Sequence, residues 1–261
     1  MRGSCWRDRM ELELGSALLL AVAGVVAGAI NAAAGGGSLV TFPALIAVGL
    51  PPLIANVTNN VAVLPGYVTG ALGYREGLGG QGRRVVPLAL ASAVGGLVGV
   101  GLVLVSSEAA FEGVVPFLVL AACALLAAQP ALGRFMGKRS GLREKPGLGS
   151  ITAQTLVAVY GGYFSAALGV AVLALLGLLF EDTLQRLNAL KALLQLVIGG
   201  AAALGFALLA PVDWTAVAIV GTASLVGGQV GARLAQRVND RVLRGGIVAY
   251  GVIAALWLFV R

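Results

Sequence analysis

The sequence predicts an all-α polytopic membrane protein, an inverted repeat of two five-segment halves in which the second segment of each half is short or re-entrant. Three observations lead there: too few charges for a soluble surface, long apolar runs between charged connections, and an internal duplication whose equivalent loops differ in sign. Of 261 residues, 59% are hydrophobic and 11% charged, against roughly a quarter charged in soluble domains. The mean hydropathy is +0.95. Disorder needs the opposite balance. The two cysteines, Cys5 and Cys123, cannot make a disulfide framework. Histidine is absent, which removes the commonest metal ligand and general base. No catalytic residue, metal site or cofactor is expected.

The net charge of +7 is carried almost wholly by connecting stretches. Residues 74–84 hold Arg75, Arg83 and Arg84 against Glu76, for +2. Residues 106–112 hold Glu108 and Glu112, for −2. Residues 129–149 carry five basic side chains and Glu144, for +4. Residues 180–187 and 207–216 each sum to −1, and 232–244 to +3. Apolar segments near 15–33, 53–73, 85–105, 113–129, 150–168, 188–209, 213–232 and 245–260 reach or approach the ~20 residues a helix needs to cross a bilayer. Two others, 38–50 and 169–180, are short. The first segment also has the small residues of a cleavable leader, but the repeat requires it in the mature protein. The division is an N-terminal tail (1–14), a first transmembrane repeat (15–128), a basic linker (129–149) and a second repeat (150–261).

Laid over itself at a shift of 132–133 residues, the chain aligns Gly28 with Gly161, Gly36 with Gly169, Asn56 with Asn188, and Gly73 with Gly205. Gly95, Gly96 and Gly99 fall on Gly227, Gly228 and Gly231, and Ser92 on Ser224. Such repeats characterise many transporter folds. The +2 loop at 74–84 matches the −1 loop at 207–216, and the −2 loop at 106–112 matches the +3 stretch at 232–244. Cytoplasmic loops are rich in Lys and Arg, so equivalent loops belong on opposite faces. Five passes per half, or three with a re-entrant hairpin, give that inversion. The linker then lies in the cytoplasm and both termini outside, in a bacterial inner (plasma) membrane. Residues 180–187 also fall on the cytoplasmic side, although Arg186 is their one cation.

Residues 31–43 read NAAAGGGSLVTFP, followed by LIAVGLPP (45–52) and ANVTNN (55–60). The second half has YGGYFSAALG (160–169), NALKALL (188–194), PVDW (211–214) and GGQVGARLA (227–235). From residue 16 to 260 the chain resembles the sulfite exporter TauE/SafE family of anion transporters. That resemblance implies transport of sulfite, organosulfonates such as sulfoacetate, or related small anions. Members often have Lys after the Thr-Asn pair, where this chain has Asn60, so no particular substrate carries over.

The residues themselves suggest where an anion would sit. Gly35, Gly36 and Gly37 separate the first segment from the short second one, with Ser38 placed as an N-cap. Glycine lets a ligand approach the backbone closely, and broken helices aim N–H groups and positive dipole ends at anions. Gly169 lies in the equivalent break, 166–169. The same glycines would also suit close helix packing. Lys191 is the single charge inside an apolar segment, and such groups mark substrate paths unless they snorkel to the interface. The repeat sets it opposite Asn59, so Thr58, Asn59 and Asn60 are candidates for the same cavity. Asn31, Thr41, Asn188, Gln195 and Gln229 are weaker candidates, since amides and hydroxyls also bond across helix interfaces. Gly95–Gly99 and Gly227–Gly231 read as packing contacts. The run GLVGVG (96–101) lies in a span without a preceding strand and is no nucleotide loop.

The expected partners are a small anion (sulfite, a sulfonate or similar) and the lipid bilayer, with no nucleic acid and self-association left open. The function expected is secondary transport by alternating access, in the direction of export, with an anion channel or uniporter, or an uptake permease for another small anion, as the alternative. A membrane enzyme would need a nucleophile or metal cluster.

Overall fold

A computed structural model describes residues 14–33, 35–136, 146–234 and 240–260. The N-terminal tail and the middle of the basic linker lie outside these. The described residues form helices and one short 3-10 turn, without strands: α1 (Leu14–Ala33), α2 (Ser38–Ala47), α3 (Pro52–Ala62), α4 (Leu64–Gly73), α5 (Gly82–Val105), α6 (Glu108–Met136), α7 (Leu148–Tyr163), α8 (Leu168–Leu179), α9 (Leu184–Leu209), α10 (Trp214–Leu234) and α11 (Asp240–Val260). The described residues are all-α, as the apolar runs required.

Among the described residues four helical stretches are long and apolar enough to cross a membrane: Leu14–Asn31, Gly82–Val105, Glu108–Ala131 and Leu184–Leu209. Fewer long spans result than the sequence suggested, for local reasons. The run 53–73 is two helices, because Pro65 occupies the first turn of α4 and has no N–H to continue α3. The Val63 carbonyl instead accepts from Gly66 N–H at 3.0 Å and Tyr67 N–H at 3.3 Å. The run 150–168 stops at Tyr163, where a second break begins. The apolar stretches of α10 and α11, Trp214–Gly228 and Gly245–Phe259, are also short.

The exterior, unlike that of a soluble protein, is apolar, and polar groups lie inside. Leu18, Leu90, Leu156 and Ile253 are each at least 64% exposed, while Asn56, Thr58, Asn59, Lys191 and Gln195 are at most 4% exposed. An apolar exterior around an apolar core that also holds buried polar groups is the pattern lipid permits. Small residues set the tight helix pairs. A Cβ on Gly28 would strike the Ser224 carbonyl, and one on Gly227 the Val25 carbonyl, so α1 and α10 lie backbone to backbone. Gly95 and Gly99 likewise face the Thr155 and Val159 carbonyls of α7. Those glycines are packing contacts; the surroundings of Gly231 lie outside the described residues. Both pairs run parallel, since positions advance together along each. So do α5 and α9, where Gly96 meets Ile198 and Gly205 meets Val100.

The loops at 74–84 and 180–187 meet on one face. Arg84 Nη1 and Arg186 Nε lie 2.7 Å and 2.9 Å from the Asp182 carboxylate. Gln81 Nε2 donates to the Arg186 carbonyl at 3.0 Å, and Arg186 Nη1 to the Gly79 carbonyl at 2.9 Å. The Arg84 guanidinium also covers the Phe180 ring, 4.9 Å from its centroid. The acidic balance of 180–187 is thus offset by Arg84 from the neighbouring basic loop.

Candidate functional site

The two helix breaks meet. Gly169 N–H donates to the Gly35 carbonyl at 3.3 Å, and a Cβ on Gly35 would lie 2.8 Å from Gly169 Cα. Gly35 has φ +79°, open to glycine at little cost. Gly36 packs beside Leu126, and Gly37 sits against the Ala27 carbonyl. In the second break the left-handed positions are not glycines. They are Ser165 (φ 57°) and Ala167 (φ 53°), while Gly169 is already helical. The Tyr160 hydroxyl donates to the Ala166 carbonyl at 2.6 Å, and Phe164 packs edge-on against Phe42, with ring centroids 5.1 Å apart.

The N–H groups at these helix starts are largely used inside the protein. Gly37 N–H donates to Asn31 Oδ1 at 2.8 Å. At the start of α8, Leu168, Gly169 and Val170 N–H go to the carbonyls of Ser165, Gly35 and Ala167. Ser38 does not cap α2; Gly37 holds that position, and no side chain bonds there. Helix-end amides therefore contribute less to an anion site than the broken-helix argument expected, and side chains must supply the donors.

They do so in a small, partly open adjoining cavity lined by Asn31, Gly66, Tyr67, Tyr74, Lys191 and Gln195, among others. Lys191 and Gln195 are four apart on α9, so one helical face carries both. Gly66 and Gly70 leave room on α4, which carries Tyr67 and is capped at its C-terminus by Tyr74. Lys191 is 4% exposed, and among the described residues no carboxylate pairs with it. Asn31 anchors the first break through Oδ1, while its Nδ2 is buried without a partner. The cavity lining is rich in hydrogen-bond donors and lacks any Asp or Glu.

The polar run on α3 is directed elsewhere. Thr58 Oγ1 accepts from Asp213 N–H at 3.1 Å, tying α3 to the start of α10. Thr41 Oγ1 donates to Asn59 Oδ1. Asn60 Nδ2 donates to the Asn56 carbonyl at 3.0 Å. These three are not among the cavity-lining residues. The side chain of Gln229 lies outside the described residues. Sequence reasoning ranked Gln195 low and missed Tyr67, Tyr74 and Ser165. The Gly-Tyr stripe of α4 (Gly66, Tyr67, Gly70, Tyr74) was the available signal for the tyrosines. For Ser165 there was none.

A polar, donor-lined hollow inside an apolar-surfaced helix bundle suits a membrane transport protein, and the comparisons with known proteins identify that class. Residues 20–258 match the sulfite exporter TauE/SafE family, and the chain belongs to it. It is 28% identical to "Probable membrane transporter protein ORF9" of Sinorhizobium, over 92% of this chain and 90% of that one. It is 25% identical to a "Probable membrane transporter protein" of Haemophilus influenzae, over 92% of each chain. With "Probable membrane transporter protein YfcA" of Escherichia coli K12 it shares 27% identity, over 91% of this chain and 88% of that one. No solved structure matches.

Proposed function

We propose that this membrane transporter exports small sulfur-containing oxyanions, such as sulfite or organosulfonates, by alternating access, holding the anion against Lys191. The carrying observation is the buried Lys191 amine, uncompensated by any described carboxylate, in a donor-lined cavity. A lone buried cation is costly, and an anion entering the cavity offsets that cost. An inside-negative potential contributes ~2.3 kcal/mol per charge per 100 mV to anion efflux, so export needs no coupling ion. An inverted repeat is the frame for this reading. It is supported by the exchange of partners between halves, with α1 beside α10 and α5 beside α7, and by the two touching breaks. The shared face of loops 74–84 and 180–187 supports a cytoplasmic side there, and with it a cytoplasmic linker in the inner membrane.

The test is sulfite and methanesulfonate flux in proteoliposomes under an imposed potential. Lys191→Ala is expected to lower flux by more than about tenfold, the usual result of truncating a buried charged partner. It should leave thermal stability in detergent unchanged or raised, because an uncompensated buried charge is removed. Full flux in Lys191→Ala would overturn this reading. Flux indifferent to potential would defeat the electrical drive. Trans-stimulation by anion on the far side distinguishes a carrier from a channel.

A further inference from the structure

Asn31, near the end of α1, stands between the first break and the Lys191 cavity. Its two amide atoms face different tasks. Oδ1 accepts from Gly37 N–H at 2.8 Å. A backbone N–H can be met only by the oxygen of a carboxamide, so this bond fixes which way the amide is turned. Nδ2, with two protons to donate, is buried and has no partner. Glycines leave the room it occupies: a Cβ on Gly37 would lie 2.8 Å from Nδ2, and one on Gly66 3.9 Å away. Gly66, Lys191 and Asn31 itself line one cavity. A buried donor without a partner is rare in a native protein and calls for an explanation. Lys191 cannot satisfy it, since an ammonium group only donates. What both lack is an acceptor, and among the described residues no Asp or Glu lines the cavity.

We infer that Asn31 is the residue through which anion occupancy is felt at the first helix break: Nδ2 donates to the bound anion while Oδ1 holds the Gly37 amide at the start of α2. The inference rests on the proposed anion transport and extends it from binding to coupling. An acceptor that meets both Lys191 and Asn31 joins α9 to the end of α1. Lys191 alone would hold an anion without reference to the first break. The carboxamide supplies that reference, because one planar group carries both the ligand contact and the break contact. In the empty cavity the amide is held from one side only. With an anion bound it is held from both, and Gly37 is held with it. A purely structural Asn31 would need Oδ1 alone.

The discriminating variant is Asn31→Asp. A carboxylate keeps an acceptor for Gly37 N–H, but it replaces the donor with an oxygen that faces Lys191 where the anion would sit. The purified full-length variant is expected to fold, to melt no lower than wild type, and to lose the rise in melting temperature that sulfite gives wild type. In proteoliposomes its sulfite and methanesulfonate flux should fall by more than roughly tenfold, the scale of one hydrogen bond to a charged group. Added to Lys191→Ala, the same carboxylate has no cation to pair with and should lower the melting temperature. Sulfite should also slow amide exchange over residues 31–41 in wild type and not in Asn31→Asp. A sulfite response in Asn31→Asp equal to wild type overturns the role given to Nδ2. So does failure of that variant to fold with Lys191 present, or an equal change in melting temperature with and without Lys191. In each of these cases loss of flux in Lys191→Ala leaves the Lys191 reading standing. Wild-type protein with neither a sulfite shift nor sulfite flux overturns both.

Discussion

The two breaks at the centre of the molecule reach the same place by different means. In the first, Gly35 supplies the left-handed turn, a conformation glycine adopts freely. In the second, Ser165 and Ala167 do so, although each pays about 1–2 kcal/mol for the left-handed conformation. The second break is held by its surroundings: Tyr160 on the Ala166 carbonyl, Phe164 on Phe42, and Gly169 on the Gly35 carbonyl. One break is permitted by its residues and the other imposed by packing. Imposed strain of that kind concentrates at functional sites.

The largest effect expected from this contrast is at Gly35. Gly35→Ala adds a left-handed penalty and a Cβ 2.8 Å from Gly169 Cα, a backbone atom that cannot step aside. Together these should cost about 2–4 kcal/mol, visible as a large fall in melting temperature or loss of the folded protein. A Gly35→Ala chain as stable as wild type would erase the distinction between the breaks.

Tyr160→Phe should come next. It strips the Ala166 carbonyl of its 2.6 Å partner, and leaving a buried acceptor unpaired costs about 1–3 kcal/mol. A denaturation midpoint unmoved by this change would mean that the second break needs no such restraint. In the opposite direction, Ala167→Gly relieves the left-handed strain and should stabilise by about 0.5–1 kcal/mol after the entropy of the added glycine is subtracted. A small rise in melting temperature is the outcome to look for.

The contrast continues to the far ends of the short helices. α2 leads into Gly49 (φ +100°), whereas α8 leads into Phe180 and the Asp182 ion pairs. Burial alone would raise the Asp182 carboxyl. The Thr183 N–H and the Arg186 and Arg84 side chains outweigh it and hold the group below the usual carboxylate range. A depressed folded value means that this contribution is complete above the unfolded pKa of roughly 3.9. It fades only as pH falls through the lower folded value. Amide exchange in 180–187 should therefore be insensitive to pH between neutrality and about 5, after correction for intrinsic rates, and rise in stronger acid. Asp182→Asn should raise it at neutral pH, the smallest effect of the four.

Much of the scaffold was legible in the sequence, because lipid demands long apolar runs and charge placement marks their ends. Lys191 was legible for the same reason, as a cation where none is expected. The split at Val63 was missed because Pro65 stands in an otherwise unbroken apolar run. The helix-end amides were misjudged because a sequence shows where N–H groups become free, not that Asn31 and the Gly35 carbonyl will take them. Tyr67 and Ser165 were hidden for a different reason. A tyrosine in an apolar run looks like packing, and a serine among alanines carries no periodic signal.

The glycine contacts that press α1 onto α10 and α5 onto α7 limit how this chain can reorganise. Each seam joins a helix from residues 15–128 to one from residues 150–261, so drawing those two stretches apart as blocks would tear both open. A motion that keeps the seams closed must carry α1 together with α10, and α5 together with α7. The moving bodies in space would then be hybrids of the two proposed repeats, not the repeats themselves.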